Sequence, residues 1–122
     1  MTDFIYRKEN ALSPSFCRSL IELFEIDKER QHRGVIRKEG EIIPADDEKT
    51  STDISFTPND LQDERWGKPL QRITGTVEEA RQDWIFQYYM GLDRVDPFEI
   101  NRTFNIQRFL PGEGYHKFHN ER

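Results

Sequence analysis

The apolar positions change period along the chain, and each change marks an element. Phe4-Ile5-Tyr6 is a short apolar run that reads as a strand. Ser13-Pro14 follows, an N-cap with proline at the first helical position, where its missing N–H costs nothing. Phe16, Cys17, Leu20, Ile21 and Phe24 then recur at helical spacing and predict a helix over about 14–28. From Lys28 to Lys49 the chain is polar. Val35-Ile36 and Ile42-Ile43 flank Lys38-Glu39-Gly40, a pattern that fits either a hairpin or a surface loop. The β-branched run from Thr50 to Phe56 predicts a strand. Thr57-Pro58-Asn59-Asp60 is a turn or a helix cap.

Residues from about Leu61 to Met90 read as mainly helical, with Gly67-Lys68-Pro69 and Gly75 as the places where a break would fall. Ala80, Trp84 and Tyr88 share one ridge, with Ile85 and Tyr89 beside it, as expected of a helix packed in a core. Gly91-Leu92-Asp93 ends that helix. From Ile100 to Phe109 apolar Phe104 and Ile106 alternate with Asn105 and Gln107, the pattern of a half-buried strand. Pro111-Gly112-Glu113-Gly114 is turn chemistry, and Tyr115 to His119 resumes as a strand.

Composition narrows the classes. One small domain spanning 1–122 is the expectation for this length, and charged residues equal hydrophobic ones at 34% each, so the core is small or some apolar surface meets a partner. A net charge of -5 with scattered Lys and Arg argues against nucleic acid as a partner. The single Cys17 excludes an internal disulfide, and its place on the apolar stripe makes it a buried structural thiol. Neither a signal peptide nor a membrane-length apolar run is present, which predicts a cytoplasmic protein.

The chemistry is concentrated near the end. His119 and Glu121 are two apart, and in an extended strand their side chains share a face, close enough to bind one metal ion. Two histidines and one carboxylate on one face of an octahedron are the ligand set of iron(II) oxygenases. His32 lies in a polar segment and reads as solvated, and His116 as a neighbour of the pair. The serines lack a His–Asp constellation, there is no Gly-rich phosphate loop, and one cysteine cannot build a zinc site.

The run from Gln107 to Glu121, an aromatic on a strand, a Pro/Gly turn, another aromatic and then His-x-Glu, resembles the first core strands of 2-oxoglutarate/iron(II)-dependent oxygenases of the prolyl 4-hydroxylase type. The helix carrying Phe16-Cys17 and the Lys49-x-Ser51-x-Asp53 strand look like the region that precedes this core in bacterial and phage members. The resemblance implies an α+β fold with N-terminal helices (about 14–90) packed on the first strands (about 99–121) of a double-stranded β-helix, a jelly roll of the cupin kind, left as an incomplete barrel. It makes His119 and Glu121 the first two iron ligands. It places Phe109, Gln107, Asn105 and Tyr115 at the cosubstrate pocket, with phenylalanine where the family usually has a tyrosine that hydrogen-bonds 2-oxoglutarate. Fe(II) would be the metal, with 2-oxoglutarate and oxygen as co-reactants and hydroxylation of an unactivated C–H bond, a peptidyl proline by resemblance, as the reaction.

The family's third ligand is a histidine several strands further on, followed by an Arg or Lys for the distal carboxylate, and the chain stops at Arg122. The expectation is therefore a truncated oxygenase, inactive alone. Two other readings stand beside it. In one, this is a non-catalytic binding or assembly module whose exposed strand edges pair with a second copy or another chain. In the other, His119 and Glu121 are ordinary surface residues of a small α+β domain.

Overall fold

A computed structural model describes residues 5–44, 47–89 and 98–119. The fold is α+β. Two compact units divide the chain, one built from residues 1–21 and 57–102, the other from 22–56 and 103–122.

The first unit is organised by helix α2, Gly67–Tyr89, which runs through Gly75 without a break. Threonines on either side of Gly75 return their hydroxyls to the backbone, Thr74 to the Leu70 carbonyl and Thr76 to that of Arg72 (both 2.9 Å), so the glycine sits in an otherwise satisfied helix. A short 3₁₀ turn, Pro58–Gln62, precedes it, with the Thr57 amide donating to Asp60 Oδ2 at 2.7 Å. Asp63 Oδ1 accepts from the amides of Arg65 and Trp66 (2.9 and 2.8 Å), closing the entry to α2. Trp66, just before the helix, and Leu70, in its first turn, are buried.

Further along, Trp84 packs edge-on against Phe98 and beside Tyr88, as the ridge of apolar residues predicts. The N-terminal segment is tied to the same helix: Tyr6 donates to Asp83 (3.0 Å), and Tyr88 donates to the Ile5 carbonyl (3.1 Å). Ile5 and Tyr6 do not form the expected strand, and Phe4 lies outside the described residues, as do Met90 and Gly91-Leu92-Asp93. With no strand among the described residues to answer its backbone, this apolar pair is held instead by the bonds to Asp83 and Tyr88 of the helix.

Helix α1, Pro14–Ile26, starts where the Ser13-Pro14 signal puts it, with the Phe16 amide donating to Ser13 Oγ at 3.2 Å. It ends two residues before the expected limit, and Gln31 Nε2 donates to the Phe24 carbonyl (2.7 Å), satisfying one of the open acceptors there. Phe24 is buried, but Cys17 is only half-buried and Ile21 is 62% exposed, so the stripe is less completely covered than its periodicity suggests.

The second unit is the β unit. β1 (His32–Arg33), β5 (Thr52–Phe56) and β6 (Phe104–Arg108) form an antiparallel sheet in the order β1-β5-β6. β2 (Val35–Lys38) and β3 (Glu41–Pro44) make the hairpin, with Lys38 opposite Glu41. The two loop residues, Glu39 (φ 51°) and Gly40 (φ 84°), both take the left-handed conformation of a type I′ turn. β4 (Lys49–Thr50) pairs with β7 (Gly114–Tyr115), so the expected 50–56 strand is split at Ser51 and serves two sheets. Among the described residues no closed barrel is formed.

The two faces of the β1-β5-β6 sheet differ sharply. Ile54, Phe56, Phe104 and Ile106 share one face; Ile54 is paired with Ile106 and Phe56 with Phe104, whose rings lie 5.6 Å apart. Arg108 extends this face, stacks over Phe24 and bonds both oxygens of Glu25 (3.0 and 2.9 Å). Asp53 and Gln107 point the other way. No helix among the described residues is long and apolar enough to cross a membrane.

Candidate functional site

The polar face of the sheet is where the notable chemistry collects. Lys49, Ser51 and Asp53 alternate along the chain, so their side chains fall on one side of the β4–β5 segment. All three are buried, Lys49 at 2% and Asp53 at 0% exposure. Asp53 accepts three hydrogen bonds: from Ser51 Oγ to Oδ1 at 2.7 Å, from Lys49 Nζ to Oδ2 at 3.0 Å, and from Gln107 Nε2 to Oδ2 at 3.2 Å. A buried carboxylate is tolerated only when paired and hydrogen-bonded, and both conditions are met here. The pairing register brings Gln107 directly opposite Asp53.

Gly34 closes the cluster from β1's end. Its amide donates to the Ser51 carbonyl (3.0 Å), and a Cβ there would overlap Ser51 Oγ and press on Lys49 Cε at 3.0 Å. Only a residue without a side chain fits against the network.

Outside this network lies a row of rings. Lys49 pairs with Tyr115 in the β4–β7 register, and its ammonium sits 5.3 Å from the centre of the Tyr115 ring. The same ring is stacked by His119, with centroids 3.9 Å apart and planes 17° from parallel. Phe109 lies 6.0 Å from Tyr115. The turn between Phe109 and Tyr115 is held by Glu113: its amide donates to the Leu110 carbonyl (2.8 Å), and its carboxylate accepts from the Leu110 amide (3.0 Å) and faces Arg33 (3.4 Å). That clasp folds the chain back so that residues separated by a glycine-rich turn share one surface.

The residues singled out from sequence therefore divide. Phe109, Tyr115 and His119 come together, and Gln107 joins them through Asp53 and Lys49. Asn105 is exposed in the middle of β6, opposite Ser55, and takes no part in the ring row. Glu121 lies outside the described residues. The strand expected over Tyr115 to His119 stops at Tyr115, because its partner β4 is only two residues long and offers no further ladder. His119 reaches the site by stacking on Tyr115, not by strand parity.

The remaining histidines are engaged elsewhere. His116 Nε2 bonds Thr50 Oγ1 at 2.8 Å, and its amide donates to the Glu48 carbonyl. His32 is exposed but belongs to β1 and is bonded through Nε2 to Ser55 Oγ at 2.9 Å, a strand position that its polar surroundings concealed. Among the described residues no group of three or more His, Cys, Asp or Glu side chains is placed to hold a metal ion.

The Lys49-x-Ser51-x-Asp53 pattern is visible in the sequence, but its role as a buried cluster appears only in the fold. Its signal was a charged pair at i and i+4 with a hydroxyl between, inside a β-branched run where solvated charges are out of place. Comparison of the sequence with protein-family models, with curated proteins and with solved structures found no match.

Proposed function

We propose that the chain carries part of the active site of a 2-oxoglutarate- and iron(II)-dependent oxygenase of the prolyl-hydroxylase kind, built on the first strands of a jelly roll. The observation that carries the reading is the convergence of Phe109, Tyr115 and His119, with Gln107 linked to them through Asp53 and Lys49, in the β unit. These are four of the six positions to which the resemblance assigns iron or 2-oxoglutarate.

Of the ligands that the resemblance assigns, His119 is the one among the described residues, and no described group of three His, Cys, Asp or Glu supplies the facial set of two histidines and a carboxylate. The proposal assigns the carboxylate to Glu121. Iron, when bound, would supply the oxidising chemistry; the chain's own part is positional. Tyr115 holds the His119 ring by stacking, the Lys49 ammonium lies against Tyr115, and the buried Asp53 holds Lys49 and the Gln107 amide. Phe109 offers 2-oxoglutarate an apolar surface and no hydrogen bond, so cosubstrate recognition would fall to polar neighbours such as Gln107.

Anaerobic titration of the purified chain with Fe(II) or Mn(II), with and without 2-oxoglutarate, tests the reading against His119→Ala and Glu121→Ala. Saturable binding that both substitutions weaken at least tenfold, and that 2-oxoglutarate tightens, supports it. Binding indifferent to His119 removes its chemical basis.

A further inference from the structure

Independently of any metal chemistry, we propose that the outer edge of β6 is a self-recognition edge, at which a second copy of this chain adds its own β6 antiparallel and in register about Ile106. The backbone parity of the sheet leads there. The Gly34 amide donates to the Ser51 carbonyl, so Ser51, and two residues on Asp53, aim their backbone groups toward β1. In an antiparallel ladder the alternate residues, Thr52, Ile54 and Phe56, then aim theirs at β6. Their partners Arg108, Ile106 and Phe104 answer them. Asn105 and Gln107 are left with N–H and C=O groups pointing away from β5, and among the described residues no strand pairs with that side. A row of such groups is a template for another strand.

The sequence of β6, Phe-Asn-Ile-Gln-Arg, is complementary to itself in one register. With a two-fold axis at Ile106, Asn105 of one copy faces Gln107 of the other, and the two exchange both backbone hydrogen bonds; symmetry repeats the exchange, giving about four new bonds. Ile106 meets its own copy as a non-hydrogen-bonded pair, in which side chains approach closely. Phe104 falls opposite Arg108, whose alkyl stem gives it apolar surface while the guanidinium stays on Glu25. The two carboxamides, Asn105 and Gln107, pair on the other face. Sliding the axis to Asn105 would instead set Arg108 against Arg102 of the other copy, like charges opposite one another, so charge disfavours that neighbouring register. β6 contains no proline or lysine to block such an approach. The product is a continuous six-stranded sheet, β1-β5-β6 followed by its two-fold mate.

A five-residue ribbon buries little surface, so the association is weak and concentration-dependent. The test is sedimentation equilibrium of the full chain from low micromolar to near-millimolar concentration, beside Asn105→Pro. The Asn105 amide points outward, so proline there removes an edge donor and leaves the β5 ladder intact. The expected result is a wild-type mass rising from 14.6 kDa toward twice that value, with the proline variant held at the monomer mass and unchanged in circular dichroism. A wild-type chain monomeric throughout, or a folded proline variant that associates equally well, overturns the proposal. Should Asn105→Pro fail to fold, Ile106→Cys in a Cys17→Ser background decides. Opposed residues of a non-hydrogen-bonded pair have Cα atoms about 4.5 Å apart, inside the disulfide range. A covalent dimer in glutathione buffer supports the register, and a chain that stays monomeric there overturns it.

Discussion

The two faces of the β1-β5-β6 sheet bury side chains by opposite means. On one, Ile54, Phe56, Phe104 and Phe24 remove apolar surface from water, an interaction without direction that any well-shaped hydrocarbon can supply. On the other, Lys49, Ser51, Asp53 and Gln107 are held by individual bonds to one carboxylate, and each bond has a defined partner and length. The first face can be repacked with modest loss. The second is fully satisfied or expensive, because a buried charge that loses its partner keeps its desolvation cost. A protein gains little stability from such a network relative to a hydrocarbon core, so its presence next to Tyr115 and His119 fits a role in holding those rings.

The largest effect should come from breaking the polar face. Asp53→Ala leaves the Lys49 ammonium buried without its counter-charge, and the chain is expected to lose about 3–5 kcal/mol in urea unfolding. Replacing both partners, Lys49→Met with Asp53→Leu, should recover most of that loss; a double variant as unstable as the single one would mean that the pair is stabilising in its own right. Gly34→Ala comes next, at about 1–3 kcal/mol, because the new methyl must displace the Ser51 hydroxyl from its bond to Asp53. On the apolar face, Ile54→Val should cost only about 0.5–1.5 kcal/mol in the same assay, although Ile54 is as deeply buried as Asp53. An Ile54→Val loss equal to that of Asp53→Ala would erase the distinction between the faces.

The smallest effect concerns protons. The two hydrogen bonds from Arg108 hold the Glu25 carboxyl below its ordinary value of 4.5. A depressed carboxyl stabilises the fold above the unfolded value and loses that contribution as pH falls through the folded one. Wild type should therefore lose a small advantage over Glu25→Gln between about pH 5 and lower pH. The same sign holds for Glu78, lowered to about 2 by the Arg81 guanidinium in the other unit. Carboxyl chemical shifts followed by NMR through acid titration would check both.

Local signals were legible where the chain carries its own instructions. Ser13-Pro14 fixes the start of α1, and Glu39-Gly40 supplies both left-handed residues that the hairpin needs. What escaped reading depends on partners distant in sequence. Nothing near His32 says that Asp53 will pair with it, and nothing in Tyr115 to His119 says that β4 will stop after Thr50 and deny the rest a ladder. Likewise the alternation Lys49-x-Ser51-x-Asp53 shows a shared face, but its burial is decided by Gly34 and Gln107, residues on two other strands.

The division of the β unit across the sequence has a kinetic consequence. β5 and β6 meet only after the chain closes a loop of about fifty residues, within which the first unit's helix α2 is free to form on its own. The β2–β3 hairpin, closed by two residues, should appear in microseconds, while the sheet must wait for the slower search. Because closure entropy grows only logarithmically, doubling that loop would cost about 0.6 kcal/mol. Lengthening it should slow folding while leaving the finished sheet nearly as stable as before.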